Sequence, residues 1–219
     1  ADLALAIAEN VDGAFFNSGQ SCCAIERIYV HTDVYDQFVE GFVDLTKQYV
    51  LGNPMHSDTT IGPMVNTAAA AFVRRQIEEA FASGAQHLVG ESHFPHSNTD
   101  SAYIGPTVLV DVNHSMSVMR EESFGPVIGI MRVDSDDEAI HLMNDSPYGL
   151  TASIWTQDPV AAQSIGDHIA TGTVFMNRCD YVDPTLVWSG VKDTGSGIAL
   201  SRLGFGPYTR PKSFHLKHN

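Results

Sequence analysis

Apolar side chains at Leu3, Ile7, Val11 and Ala14/Phe15 recur at helical spacing and predict an amphipathic helix at the beginning of the chain. A turn follows, and Ile25–Val30 then has the β-branched and aromatic content of a strand. Val34, Phe38, Phe42, Leu45 and Tyr49 run down one face of a second helix, capped by Asp33 and stopped by Gly52 and Pro54. A third helix over 67–83 turns Phe72, Ile77 and Phe81 inward and ends at Gly84. Shorter segments come next, with strands expected over 86–89, 103–110 and 127–133 and a loop over 91–101. Ser135 and Glu138 form a capping box ahead of Ala139, Ile140 and Met143. Residues 150–156 read as a strand, Asp158-Pro159 caps a helix running through Ile169, and 173–176 is a further strand.

Strands alternating with helices in this way predict an α/β domain with a largely parallel sheet and flanking helices. The coil over 177–197, rich in Gly, Asp and Pro, is too long for an ordinary connector. Past it, 210–217 alternates polar and apolar residues like an exposed strand, and such edges invite pairing with another chain.

Composition narrows the function classes. A chain of 219 residues, 43% hydrophobic, can bury one sizeable core. Its net charge of −14 repels phosphate backbones and anionic lipid, which argues against nucleic-acid and membrane partners. The apolar runs fall short of a membrane span, so a soluble chain is expected. Three cysteines, adjacent Cys22 and Cys23 and distant Cys179, cannot form a paired disulfide framework. A cytoplasmic protein is therefore expected, with the mitochondrial matrix as the alternative compartment.

The chemistry centres on Phe15-Phe16-Asn17-Ser18-Gly19-Gln20-Ser21-Cys22-Cys23-Ala24, where a thiol sits between a helix and a strand. Nearby backbone N–H groups and Arg27 could favour the thiolate, the form that attacks carbonyl carbon. A free cysteine is equally a small buried hydrophobe, and the residues alone leave both readings open. Glu121 and Glu122 read as a carboxylate pair or as solvated charge beside Arg120. His93 and His96 have metal-ligand spacing, but no third ligand stands nearby and no metal is expected.

Taken together, 15–27 resembles the active-site segment of the aldehyde dehydrogenase superfamily, F-x-N-x-G-Q-x-C-x-A-x-x-R, with every fixed position filled. Arg120–Val127 resembles the family's E-E-x-F-G-P-V block. Further matches follow in family order at Pro106–Leu109, from Asn144 to Leu150, and at Gly172–Asn177, so the resemblance spans the chain. One departure falls at Val187–Gly195, where the family commonly reads P-F-G-G-x-K-x-S-G. Trp188 stands there for a pocket phenylalanine and Ser189 for a glycine.

The resemblance implies that Cys22 is the catalytic nucleophile and that Glu122 and Phe124 contact the nicotinamide ribose and ring of NAD or NADP. It places Phe16, Ser21, Cys23 and Trp188 at a pocket for a small-molecule aldehyde, whose aromatic walls would favour an apolar substrate body. It also implies a catalytic domain over 1–206 and a tail strand over 207–219 that joins a neighbouring subunit in a homo-oligomer, a dimer or tetramer. Family chains are about twice as long. Their first half carries the dinucleotide-binding domain, an oxyanion-hole asparagine and a water-activating glutamate, none of which occurs here, and no Gly-rich phosphate turn is present. The expectation is a C-terminal catalytic half, inactive as a dehydrogenase alone. A non-catalytic oligomerisation module and a cofactor-independent thiol esterase are the alternatives.

Overall fold

The computed structural model describes residues 1–218. Asp2 accepts the Leu5 N–H and starts helix α1, Leu3–Phe15, which buries Ala6, Ile7, Val11, Ala14 and Phe15 as its spacing requires. Strand β1, Arg27–His31, follows the cysteine turn. Helix α2 spans Tyr35–Thr46 and α3 spans Thr67–Ala82. Strands β2, Gln86–Val89, β3, Thr107–Val110, and β4, Val127–Val133, complete the first sheet. Helix α4, Asp136–Asn144, leads to a β–α–β unit of β5, Thr151–Ile154, α5, Pro159–Gly166, and β6, Thr173–Met176.

The first sheet has the order β1-β4-β3-β2, parallel except for the antiparallel edge strand β2. Helices cover both faces, so the central strands are apolar on both sides. Val108, Val110, Ile128 and Ile130 point into a core with Phe15, Phe38 and Phe42, whereas Leu109 and Val127 pack with Val73, Ile77, Ile104 and Met119 under α3. The expected parallel sheet is therefore present, accompanied by a separate parallel pair, β5-β6, with its own small core of Ala152, Ile154, Ala162 and Ile169.

Several local expectations are corrected. Asp33 does not cap α2; it lies inside a 3₁₀ turn, Thr32–Val34, and its N–H donates to His31 Nδ1. Helix α2 ends at Thr46, whose hydroxyl bonds back to the Phe42 carbonyl, yet Tyr49 still meets Phe15 edge-on at 5.8 Å. In α3 the inward stripe is Ala70, Val73, Gln76, Ile77 and Ala80. Phe72 and Phe81 flank it and are each 37% exposed, resting on Arg75 and His87 respectively. Helix α5 stops at Gly166, and Ile169 is buried from the turn beyond it. Among the described residues, 210–218 forms no strand and is exposed throughout.

Among the described residues, no helix is long and apolar enough to cross a membrane. The same residues hold no group of three or more His, Cys, Asp or Glu side chains able to grip a metal ion.

Candidate active site

The turn that presents the cysteines is left-handed over three successive residues, Asn17 at φ 50°, Ser18 at 60° and Gly19 at 72°. Only the glycine adopts this conformation freely, so the turn must be held by its surroundings. Asn17 Nδ2 donates to the Gln20 carbonyl at 3.0 Å, and Ser18 Oγ donates to the Gly62 carbonyl at 2.7 Å. Gln20 Oε1 accepts the Val65 N–H at 2.7 Å while its Nε2 donates to Asn17 O at 3.0 Å. The N-x-G-Q pattern is thus a backbone brace. Gly19 sits directly on the Gly125 backbone, where any Cβ would collide with the carbonyl.

This brace leaves the three thiols in different environments. Cys22 is exposed, whereas Cys23 and Cys179 are buried. Burial pushes Cys23 up to about 12, and the neighbouring Asp180 carboxylate adds to the effect. Cys179, whose Sγ–H donates to the Glu9 carbonyl at 3.2 Å, is likewise pushed up to about 12 by burial. Asp180 Oδ1 accepts from both residues flanking Cys22, Ser21 Oγ at 2.7 Å and Cys23 Sγ at 3.1 Å. Its carboxylate therefore clamps the turn around the exposed thiol.

Arg27, expected to act on that thiol, spends its guanidinium elsewhere. Nη1 donates to the Met119 carbonyl at 2.6 Å and Nη2 to Ser146 Oγ at 2.9 Å. Just before it, the partly buried Glu26 accepts the N–H groups of Ser123 at 3.0 Å and Phe124 at 3.1 Å. Burial raises the pKa of Glu26, and these two hydrogen bonds oppose the rise. The loop they hold buries Ser123 and exposes Glu122 and Phe124, the latter at φ 48°.

A cleft of about 770 Å³ brings Cys22, Glu26, Glu122, Tyr148 and Trp188 together. Every residue from Ala24 to His31 and from Tyr148 to Thr156 lines it. Strand side chains alternate between faces, so a wall of consecutive residues means that the cleft follows the open edges of β1 and β5. Phe16, Ser21, Cys23 and Phe124 lie outside this lining; Phe16 is 57% exposed on the turn itself.

The long coil adds Cys179, Trp188, Asp193 and Thr194 to the lining. Lys192 Nζ donates to the Asn144 and Ser146 carbonyls at the C-terminal end of α4, both at 2.9 Å. Trp188 and Ala199 exchange backbone hydrogen bonds, and Gly172 lies against the Ser189 carbonyl, leaving no room for a side chain. Asn177, just past β6, accepts the Thr156 N–H at 3.0 Å and donates to the Thr156 carbonyl at 2.7 Å.

Glu26 and Asp180 are the site residues that sequence reasoning missed. Glu26 stands at a variable place in the cysteine motif, next to the fixed Arg27, and Asp180 lies in aperiodic coil. Neither carried a local signal, because each is defined by partners far away in the chain.

The structure thus sets an exposed cysteine on a left-handed helix-to-strand turn against a glycine-proline loop in a largely parallel α/β domain. The chain belongs to the aldehyde dehydrogenase family, whose model matches residues 1–214. It is 35% identical over 213 residues to the NADP(+) succinate-semialdehyde dehydrogenase 1 of Mycobacterium tuberculosis, covering 97% of this chain and 46% of that protein. The fold matches betaine aldehyde dehydrogenase from Staphylococcus aureus, in complex with NAD+, with a TM-score of 0.88 and 32% identity over 95% of this chain and 42% of that one. It also matches the NADP-dependent glyceraldehyde-3-phosphate dehydrogenase of Bacillus halodurans, complexed with NADP, with a TM-score of 0.83 and 40% identity over 90% of this chain and 40% of that one. The chain spans about half the length of the relatives it matches.

Proposed function

We propose that these residues are the catalytic portion of an NAD(P)-dependent aldehyde dehydrogenase, with Cys22 as the nucleophile. The observation that carries this reading is the contrast among the thiols: Cys22 is exposed between two residues clamped by Asp180, while Cys23 and Cys179 are buried and held protonated. A nucleophile needs access and a fixed direction of approach, and Cys22 has both.

In this reading the Cys22 thiolate adds to the aldehyde carbon, and the Cys22 backbone N–H helps hold the oxyanion of the thiohemiacetal. The bound cofactor supplies the acceptor for the hydride lost from that carbon. Cys22 then carries the product as a thioester, and hydrolysis releases a carboxylic acid and restores the thiol. The chemistry of the shelf formed by Glu122 and Phe124 fits a nicotinamide riboside, since an exposed carboxylate can accept from vicinal hydroxyls beside an exposed aromatic face. The second oxyanion donor, the water-activating carboxylate and most of the dinucleotide contacts would come from residues outside these 219.

The substrate we infer is an aldehyde with an apolar body, from the aromatic side chain of Trp188 on the cleft wall. The exposed tail, with Phe214 and Leu216 in solvent, supports a homo-oligomer in which it pairs with a neighbouring subunit. A cytoplasmic enzyme is consistent with the three unpaired cysteines. The test is Cys22→Ser in the complete enzyme, which should abolish aldehyde-dependent cofactor reduction. Activity retained in that variant would overturn the assignment.

A further inference from the structure

We propose that Glu26 is a positioning residue that sets the cofactor shelf relative to the nucleophile; the proposal rests on the reading of Glu122 and Phe124 as cofactor contacts. A carboxylate at this place is unfavourable in two respects. It is partly withdrawn from water, and Glu122 lies near enough to repel it, both of which raise its pKa. Charge in such a setting persists where it makes strong hydrogen bonds, and here both oxygens accept backbone N–H groups, from Ser123 and Phe124.

Those two N–H groups lie where the loop most needs support. Phe124 is left-handed at φ 48°, a conformation that a bulky residue holds only when its surroundings impose it. The buried Ser123 hydroxyl finds no hydrogen-bond partner, so the side chain does not anchor the loop. Arg27, the next residue along, holds the Met119 carbonyl at the other end of the same loop. Successive residues of one strand entry thus grip both ends of 119–124. Glu26 is also only four residues after Cys22 in the chain. The shelf is consequently tied to the thiol through a short covalent stretch and two hydrogen bonds, without Glu26 itself needing to touch cofactor or substrate.

The complete enzyme tests this with Glu26→Gln, Glu26→Asp, Glu122→Gln and the double variant Glu26→Gln/Glu122→Gln. Glutamine turns an amide N–H₂ toward a backbone donor, and aspartate keeps the charge but loses reach. Pre-steady-state cofactor reduction should slow about tenfold or more in Glu26→Gln and less in Glu26→Asp, since a displacement of about 1 Å can cost on the order of a hundredfold. Iodoacetamide alkylation of Cys22 should stay within about twofold of the parent, showing that the cysteine turn is intact. The double variant should be little slower than Glu122→Gln, because both changes act through one shelf. An unchanged hydride step in Glu26→Gln beside a slowed one in Glu122→Gln would overturn the role of Glu26 alone. So would full additivity, or parallel loss of Cys22 alkylation in both Glu26 variants. A normal hydride step in Glu122→Gln would instead overturn the cofactor reading, and this proposal with it.

Discussion

Gly19 of the cysteine turn rests on the backbone of Gly125, with no room between them for a methyl group. The two residues lie in separate sequence blocks, and this contact sets the distance between the thiol turn and the loop bearing Glu122 and Phe124. Gly19 also has φ 72°, so it serves both close approach and a left-handed backbone.

Gly19→Ala should therefore destabilise the fold by about 2–4 kcal/mol, combining left-handed strain with overpacking against backbone that cannot swing aside. Urea unfolding measures the stability loss. A change below about 0.5 kcal/mol would show that the contact is slack.

Iodoacetamide at near-neutral pH should modify Cys22 and spare Cys23 and Cys179, as peptide mapping would report. The buried pair should resist until strongly alkaline pH, since burial pushes both from the ordinary 9.0 to about 12. The fold binds these two protons more tightly than the unfolded chain does. Their stabilising contribution is thus complete below pH 9 and declines as pH rises from 9 toward 12. Cys23→Ser, whose hydroxyl does not titrate in that window, should flatten part of the alkaline decline in melting temperature.

A polypeptide of only these 219 residues should show no sustained reduction of NAD or NADP with an aldehyde. One missing oxyanion donor alone costs about 10²–10³ in rate, and hydride transfer without an oriented acceptor is slower still. Cys22 should nevertheless be acylated once by an activated ester. Absorbance of the reduced nicotinamide and intact mass distinguish the two outcomes; steady turnover would defeat the reading of these residues as a catalytic portion.

Lys192→Met should lower stability by about 1–2 kcal/mol, because it leaves the Asn144 and Ser146 carbonyls at the end of α4 without their cationic donor. Thermal melting checks it. Lys192→Arg should recover part of the loss if charge at the helix end dominates.

Periodicity and motif spacing determined much of this protein in advance. The α1 stripe ending at Phe15, the caps at Ser135 and Asp158 and the two-sided apolar strands β3 and β4 are all local patterns, each set by residues a few positions apart. The family resemblance, carried by motif spacing, singled out Cys22, Glu122 and Phe124. Tertiary structure decided what depends on distant partners: which residues of α3 face inward, why Arg27 serves the 119–124 loop, and why Asp180 and Glu26 matter. Asp180 meets Cys23 across 157 residues and Glu26 meets Ser123 across 97. Hydrogen bonds of that reach leave no periodic trace in the chain, because their strength depends on orientation and burial that arise only once the sheet and helices have packed.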